Sequence, residues 1–199
     1  MRPRTAAPIL RAPSCPQPAM TFQQQPRYRP SIIVLHWLTL VLLVAVYATM
    51  ELRGLFPRGS ATRELMKETH FLLGLAVFVL AWLRLALRAT GATPPITPPL
   101  PLWQTVLSRV VALAMYGLML AMPVIGYLML NASGTAPSLG GCRLPLLVGA
   151  DPALGERLAA WHGAIAMAGY GLVGLHTVAA LYHHHVRQDD TLVRMSLRR

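Results

Sequence analysis

The sequence predicts an all-α membrane protein: a four-transmembrane-helix bundle with both termini cytoplasmic. Three observations carry this. The first is composition. Of 199 residues, 54% are hydrophobic and only 13% are charged, with a mean hydropathy of +0.47. A soluble domain carries about 25% charged residues. The second is the presence of four apolar segments, each long enough for the roughly 20 residues that cross a bilayer. The third is the placement of Lys and Arg, which sets orientation.

The spans run from about Ser31 to Met50, Lys67 to Leu87, Leu107 to Leu130 and Leu158 to His183. Pro123 falls inside the third span. A membrane helix tolerates it where neighbours satisfy the freed carbonyl. The intervening segments read as loops. Residues 51–66 hold a Gly-Leu-Phe-Pro turn, and residues 131–157 are rich in Gly and Pro. Residues 88–106 contain TPPITPPLP, which cannot be helical because proline lacks the N–H.

Residues 1–26 are rich in Pro, Gln and Arg and have no apolar core, so they read as a disordered basic N-terminal arm rather than a signal peptide. Residues 27–199 form the four-helix domain. Met20 opens MTFQQQPRYRPS and is a second candidate for the start of translation.

With the N-terminus inside, twelve of the eighteen Lys and Arg residues fall on the cytoplasmic side. Six fall outside: Arg53, Arg58, Arg63, Lys67, Arg143 and Arg157. Arg84 and Arg109 lie near cytoplasmic helix ends, where their side chains can snorkel. The net charge of +11 punctuates apolar segments and matches no nucleic-acid-binding motif, which excludes that class of partner. Cys15 and Cys142 form neither a metal spacing nor a disulfide framework.

The chemistry lies in the histidines. Seven occur, and His36, His70, His162 and His176 fall inside the spans. Intramembrane ionisable residues are costly and mark functional sites by default, although a lone histidine more often serves structure. Depth arranges these four on two levels, His70 with His162 outside and His36 with His176 inside. His162 and His176 are 14 residues apart, a rise of about 21 Å and a rotation within about 40° of whole turns. Both imidazoles therefore project from one helix face. Two imidazoles at each level predict two haem b sites with bis-histidine ligation inside the bundle, the haem iron being the metal.

Small residues beside the histidines (Gly74, Gly163, Ala166, Gly169, Gly171 and Gly174) leave room for a porphyrin, and they equally suit helix packing in lipid. His183 shares the face of His176 and could compete with it, but it lies at the interface. The run His183 to His185 reads as a polar cap, or as a site for a stray transition metal.

Other chemistry is poorly served. The sequence has no CxxCH, P-loop or GxGxxG. Apart from Glu68 at the outer end of the second, the spans also lack the carboxylates expected of a proton or cation transporter.

RYRPSIIVLHWL, YATMELRGLFPR, TPPITPP, MPVIGYLM, WHGAIAMAGYGLVGLH and HHHVRQDDTLVRM occur in this order over about residues 27–198. In these pieces the chain resembles the bacterial cytochrome b561 family of four-helix di-haem inner-membrane cytochromes. The resemblance implies His36, His70, His162 and His176 as the axial haem ligands. It also implies ubiquinone as electron acceptor and superoxide as donor, as in the members that link the two. Arg53, Arg58 and Lys67 are candidates for pairing haem propionates or for steering a small anion toward the outer haem. Arg84, Arg88 and Arg187 are the equivalent candidates at the inner haem. The alternative is an electron-transfer or anchor subunit that docks a separate dehydrogenase and performs no substrate chemistry of its own.

Overall fold

A computed structural model describes residues 27–139 and 141–197. The basic arm, Cys15 and the second start at Met20 lie outside the described residues. Four helices account for most of the described chain: α1 (Pro30–Leu52), α2 (Ala61–Ala89), α3 (Leu102–Ala132) and α4 (Pro152–His185). All four are long and apolar enough to cross a membrane.

Each helix is longer than the apolar span within it, and the starts of α2 and α4 are set by capping side chains rather than by hydropathy. Pro30 and Pro152 open α1 and α4, where a missing N–H costs nothing. The Ser60 hydroxyl accepts from Arg63 N at 3.3 Å to start α2, and the Asp151 carboxylate accepts from Leu154 N at 3.0 Å to start α4. The third helix continues through Pro123 without interruption.

Between α1 and α2, a 3-10 turn (Arg53–Leu55) is held by Arg63, whose Nη1 donates to the carbonyls of Arg53 and Phe56 at 3.1 and 2.9 Å. The proline segment before α3 is irregular. The loop between α3 and α4 contains a feature that hydropathy does not signal. A two-residue antiparallel hairpin pairs Ser138–Leu139 (β1) with Cys142–Arg143 (β2), turning through Gly141 at φ +87°, a conformation open to glycine.

The closest packing is pairwise: α1 lies along α2 and α3 along α4, with α2 joining the two pairs through a thinner contact with α3. A small core of Val77, Ala81 and Met119 forms where α2 meets α3, covered by Leu42, Leu43, Val46, Tyr116 and Leu120. Large apolar side chains such as Val41, Val44, Val79, Leu113 and Val178 face outward, as a lipid-facing surface requires.

Buried polar side chains fasten the ends of the bundle. At one end Asn131, fully buried, accepts from Leu147 N at 2.7 Å through Oδ1, and Tyr127 OH donates to Pro145 O at 2.6 Å. At the other end the segment after α4 folds back as a strap. Trp37 Nε1 donates to Met195 O at 2.8 Å, Thr97 N donates to Asp190 Oδ1 at 3.0 Å, and Arg194 donates to Pro94 O. Asp189, Asp190 and Arg194 are all buried in this strap.

Candidate functional site

The cleft between the two helix pairs is bridged by imidazoles. From α2 and α4, His70 and His162 face each other with ring centroids 6.2 Å apart. From α1 and α4, His36 and His176 do the same, also at 6.2 Å. The interplanar angles are similar, 69° and 64°. His162 and His176 thus project from α4 toward two different partner helices while sharing one face.

The His70 ring is oriented by backbone. Its Nδ1 lies 3.0 Å from the Val46 carbonyl oxygen and 3.3 Å from Thr49 Oγ1. A carbonyl can only accept, so Nδ1 carries the proton and Nε2 keeps a free lone pair. Opposite it, His162 Nδ1 is buried without a hydrogen-bond partner.

His70 and His162 line a cavity of about 680 Å³. Its walls include Gly74, Gly163 and Ala166, with Phe71 and Tyr127 on one flank and Tyr47 and Tyr170 on another. The other small residues of α4 do different work. Gly169 lies beneath the Tyr47 hydroxyl and Leu118. Gly171 faces a separate hollow of about 430 Å³ between α3 and α4, whose lining has no polar side chain. Gly174 faces open space.

Gly126 on α3 has the opposite character. A Cβ there would lie 3.2 Å from His162 Cε1, so the absent side chain is what seats the ring. Sequence reasoning missed Gly126, because its partner lies on another helix. Tyr47 and Tyr170 were missed for the same reason. Their rings stand 4.3 Å apart. Tyr47 OH donates to Ala166 O at 3.0 Å and Tyr170 OH to Glu51 Oε1 at 2.7 Å.

Three of the charged candidates separate clearly. Arg53 and Lys67 line the cavity together with Glu51, and Arg53 Nε is buried without a partner. Lys67 Nζ also bonds both Glu64 oxygens, at 2.7 and 2.9 Å. Arg58 is exposed and lies outside the cavity lining.

At the other level, Arg84 does not snorkel. It turns inward, with Nη2 3.1 Å from His36 Nδ1 and its guanidinium 5.7 Å from the Tyr116 ring centroid. Arg88 is exposed and Arg187 half-buried. His183 belongs to the strap: its Nδ1 donates to Asp189 Oδ2 at 2.5 Å. The rings of His184 and His185 pack edge to face at 4.8 Å. Among the described residues, no three His, Cys, Asp or Glu side chains converge as a metal cage.

Four membrane-length helices with imidazoles paired across a cleft are the arrangement of a haem-bearing membrane cytochrome, and comparison with known proteins decides the family. Residues 27–196 match the family described as prokaryotic cytochrome b561. The chain belongs to the prokaryotic cytochrome b561 family. It is 38% identical to cytochrome b561 homolog 1 of Escherichia coli (strain K12) over 173 residues, 87% of this chain and 98% of that protein. It is 36% identical over 163 residues to the Yersinia pestis protein named "Probable superoxide oxidase CybB", covering 82% of this chain and 92% of the relative. Cytochrome b561 homolog 2 of Escherichia coli (strain K12) is 26% identical over 178 residues, 88% of this chain and 95% of that protein. Membership makes the chain a multi-pass membrane cytochrome of electron transfer that carries b-type haem.

Proposed function

We propose that this cytochrome b561 is a di-haem protein of the bacterial inner membrane, both termini cytoplasmic, that passes electrons from superoxide to ubiquinone. In this reading His70 and His162 hold one haem, facing outward, and His36 and His176 hold the other, facing the cytoplasm. The observation that carries it is the pair of imidazole spacings.

An imidazole nitrogen lies about 1.1 Å from its ring centre and a metal–imidazole bond is about 2.0–2.1 Å, so two rings on one metal have centres about 6.3 Å apart. Both pairs stand at 6.2 Å. Imidazoles in hydrogen-bond contact would be closer, and rings serving packing alone have no reason to repeat one spacing at two levels. The cavity beside His70, the free Nε2 of that ring and the unpartnered Nδ1 of His162 fit the same group.

Held by two imidazoles, a b-type haem would supply reversible one-electron chemistry. The chain's own residues do the rest. The Val46 carbonyl holds the His70 proton on Nδ1 and so fixes the tautomer. Phe71, Tyr127 and Met122 wall the cavity with apolar surface, which keeps water from the site. Arg53 and Lys67 place positive charge at the same cavity, and such charge draws a small anion toward a redox centre. Superoxide as donor is supported by this charge and by the relative named "Probable superoxide oxidase CybB". Two superoxide anions each give up one electron and leave as dioxygen, and ubiquinone takes two electrons and two protons to become ubiquinol. The orientation rests on the excess of Lys and Arg at the His36 end.

The test is haem quantitation with reduced-minus-oxidised spectra on the purified protein, followed by pulsed superoxide in the presence of a quinone analogue. Two b-type haems per chain, reduced by the pulse and reoxidised by the quinone, are expected. One haem per chain overturns the di-haem assignment. Haems that stay oxidised after the pulse overturn superoxide as donor and leave the cytochrome standing.

A further inference from the structure

The two imidazole pairs share a spacing but not an environment, and the difference centres on Arg84. On α2, Arg84 follows His70 by 14 residues, the interval that separates His162 from His176 on α4. It therefore occupies, at the His36/His176 level, the face that His70 occupies at the other level. Its Nη2 lies 3.1 Å from His36 Nδ1, and its Nε is buried without a partner. Among the described residues no carboxylate forms an ion pair with it. The acids of α1, α2 and α4 (Glu51, Glu64, Glu68 and Glu156) all lie toward the opposite end of the bundle. A guanidinium stays protonated in proteins and can only donate. The two acids at the Arg84 end, Asp189 and Asp190, are engaged by His183 and Arg194. His36 Nδ1 thus faces a charged donor where His70 Nδ1 faces a carbonyl acceptor.

These surroundings act on a metal in opposite senses. A carbonyl that accepts the distal imidazole proton makes the ligand more basic and favours the more oxidised metal. A fixed cation in a region of low dielectric favours the state with one more electron. Resting on the two-haem reading above, we propose that Arg84 is a tuning residue. Its charge holds the haem at His36/His176 at a higher midpoint potential than the haem at His70/His162. An electron entering at His70/His162 then runs downhill to His36/His176, one ferrous iron becoming ferric as one ferric iron becomes ferrous. The direction of flow through the bundle is set by one arginine.

The test is a redox titration of the purified full-length protein, followed by absorbance, for the wild type, R84Q and R84K. The wave lost in His176→Ala identifies the His36/His176 haem. In the wild type this wave is expected at the higher potential, and finding it at the lower one overturns the proposal. In R84Q it should move down. At the wild-type midpoint the ratio of reduced to oxidised haem should fall about tenfold, which is 59 mV for a one-electron couple. The other wave should stay in place, and R84K should keep most of the wild-type value.

An unmoved wave in R84Q with both haems present overturns the proposal. An upward shift also does so, because it would make Arg84 a proton donor to an anionic His36 ring. Should R84Q bind a single haem, R84M and R84K are titrated against each other, and equal midpoints for the two overturn it. A wild-type protein with fewer than two haems refutes the two-haem reading itself, and the spectrum shows this before any variant is made.

Discussion

The two ends of the bundle are built on one repeat and furnished differently. Ring spacing and interplanar angle are nearly the same at His70/His162 and at His36/His176. The first pair sits beside a roomy cavity with small residues, a carbonyl partner for His70, and Glu51, Arg53 and Lys67 in the lining. The second pair sits against Arg84, with Trp37 edge-on to His36 at 5.6 Å and the Trp37 indole tied to the C-terminal strap. The 14-residue interval fixes where the imidazoles stand. The neighbours distinguish the pairs: one end is open onto the cavity, and the other is closed over by the strap and faces Arg84.

The largest expected effect removes one end altogether. His176→Ala should lower the haem content from two per chain to one and leave the His70/His162 haem spectroscopically intact, read by haem quantitation and the reduced-minus-oxidised spectrum. His183→Ala should keep both haems, because His183 spends its Nδ1 proton on Asp189 and not on the cleft. Loss of a haem in His183→Ala with retention in His176→Ala would reverse the ligand assignment. Both histidines lie on one face of α4, so helical periodicity alone does not separate them.

Periodicity and depth made the four spans and the two histidine levels legible in the sequence. The interval from His162 to His176 is local to one helix, and local intervals survive folding. What the sequence hid was set by capping or by other helices. Two of the helices, α2 and α4, are capped by Ser60 and Asp151, short polar residues whose role is masked when hydropathy alone draws the boundary. Arg84 reads as a snorkelling residue until α1 is placed beside α2 and His36 appears against it. The small residues of α4 look equivalent along the chain. In space Gly163 faces the cavity, Gly171 the hollow toward α3 and Gly174 open space. The strap was the least legible part. Its signal, two adjacent acids followed four residues later by Arg194, is common on any solvated surface, and only the fold buries it.

A smaller effect should strike only the open end. Gly126→Val places a branched side chain where even a Cβ comes within 3.2 Å of His162. The ring must give way, and ligand geometry loosens with it. We expect partial loss of the His70/His162 haem, a content between one and two per chain, and an unchanged wave from His36/His176. Gly174→Ala, which meets open space, should bind two haems normally. Equal losses from both haems in Gly126→Val would mean that α3 supports the bundle as a whole rather than one imidazole.

The smallest effect concerns the closed end and shows itself in acid. Asp189 is buried, which alone would raise its pKa. Hydrogen bonds from Thr191 and His183 outweigh burial and hold the carboxyl below its usual range. A lowered folded-state pKa means that folding favours the ionised form. The stabilisation is complete above the unfolded value of about 3.9 and is lost as pH falls through the folded value. Asp189→Asn should therefore cost about 1.5–3 kcal/mol at pH 7, the worth of a hydrogen bond to a charged group. The gap from wild type should be the same at pH 5 and should narrow below about pH 4. Denaturation of the two proteins in matched detergent across this range measures it. A gap that stays constant into acid would show that Asp189 holds the strap through contacts that do not depend on its charge. The closed end would then owe nothing to the ion at Asp189.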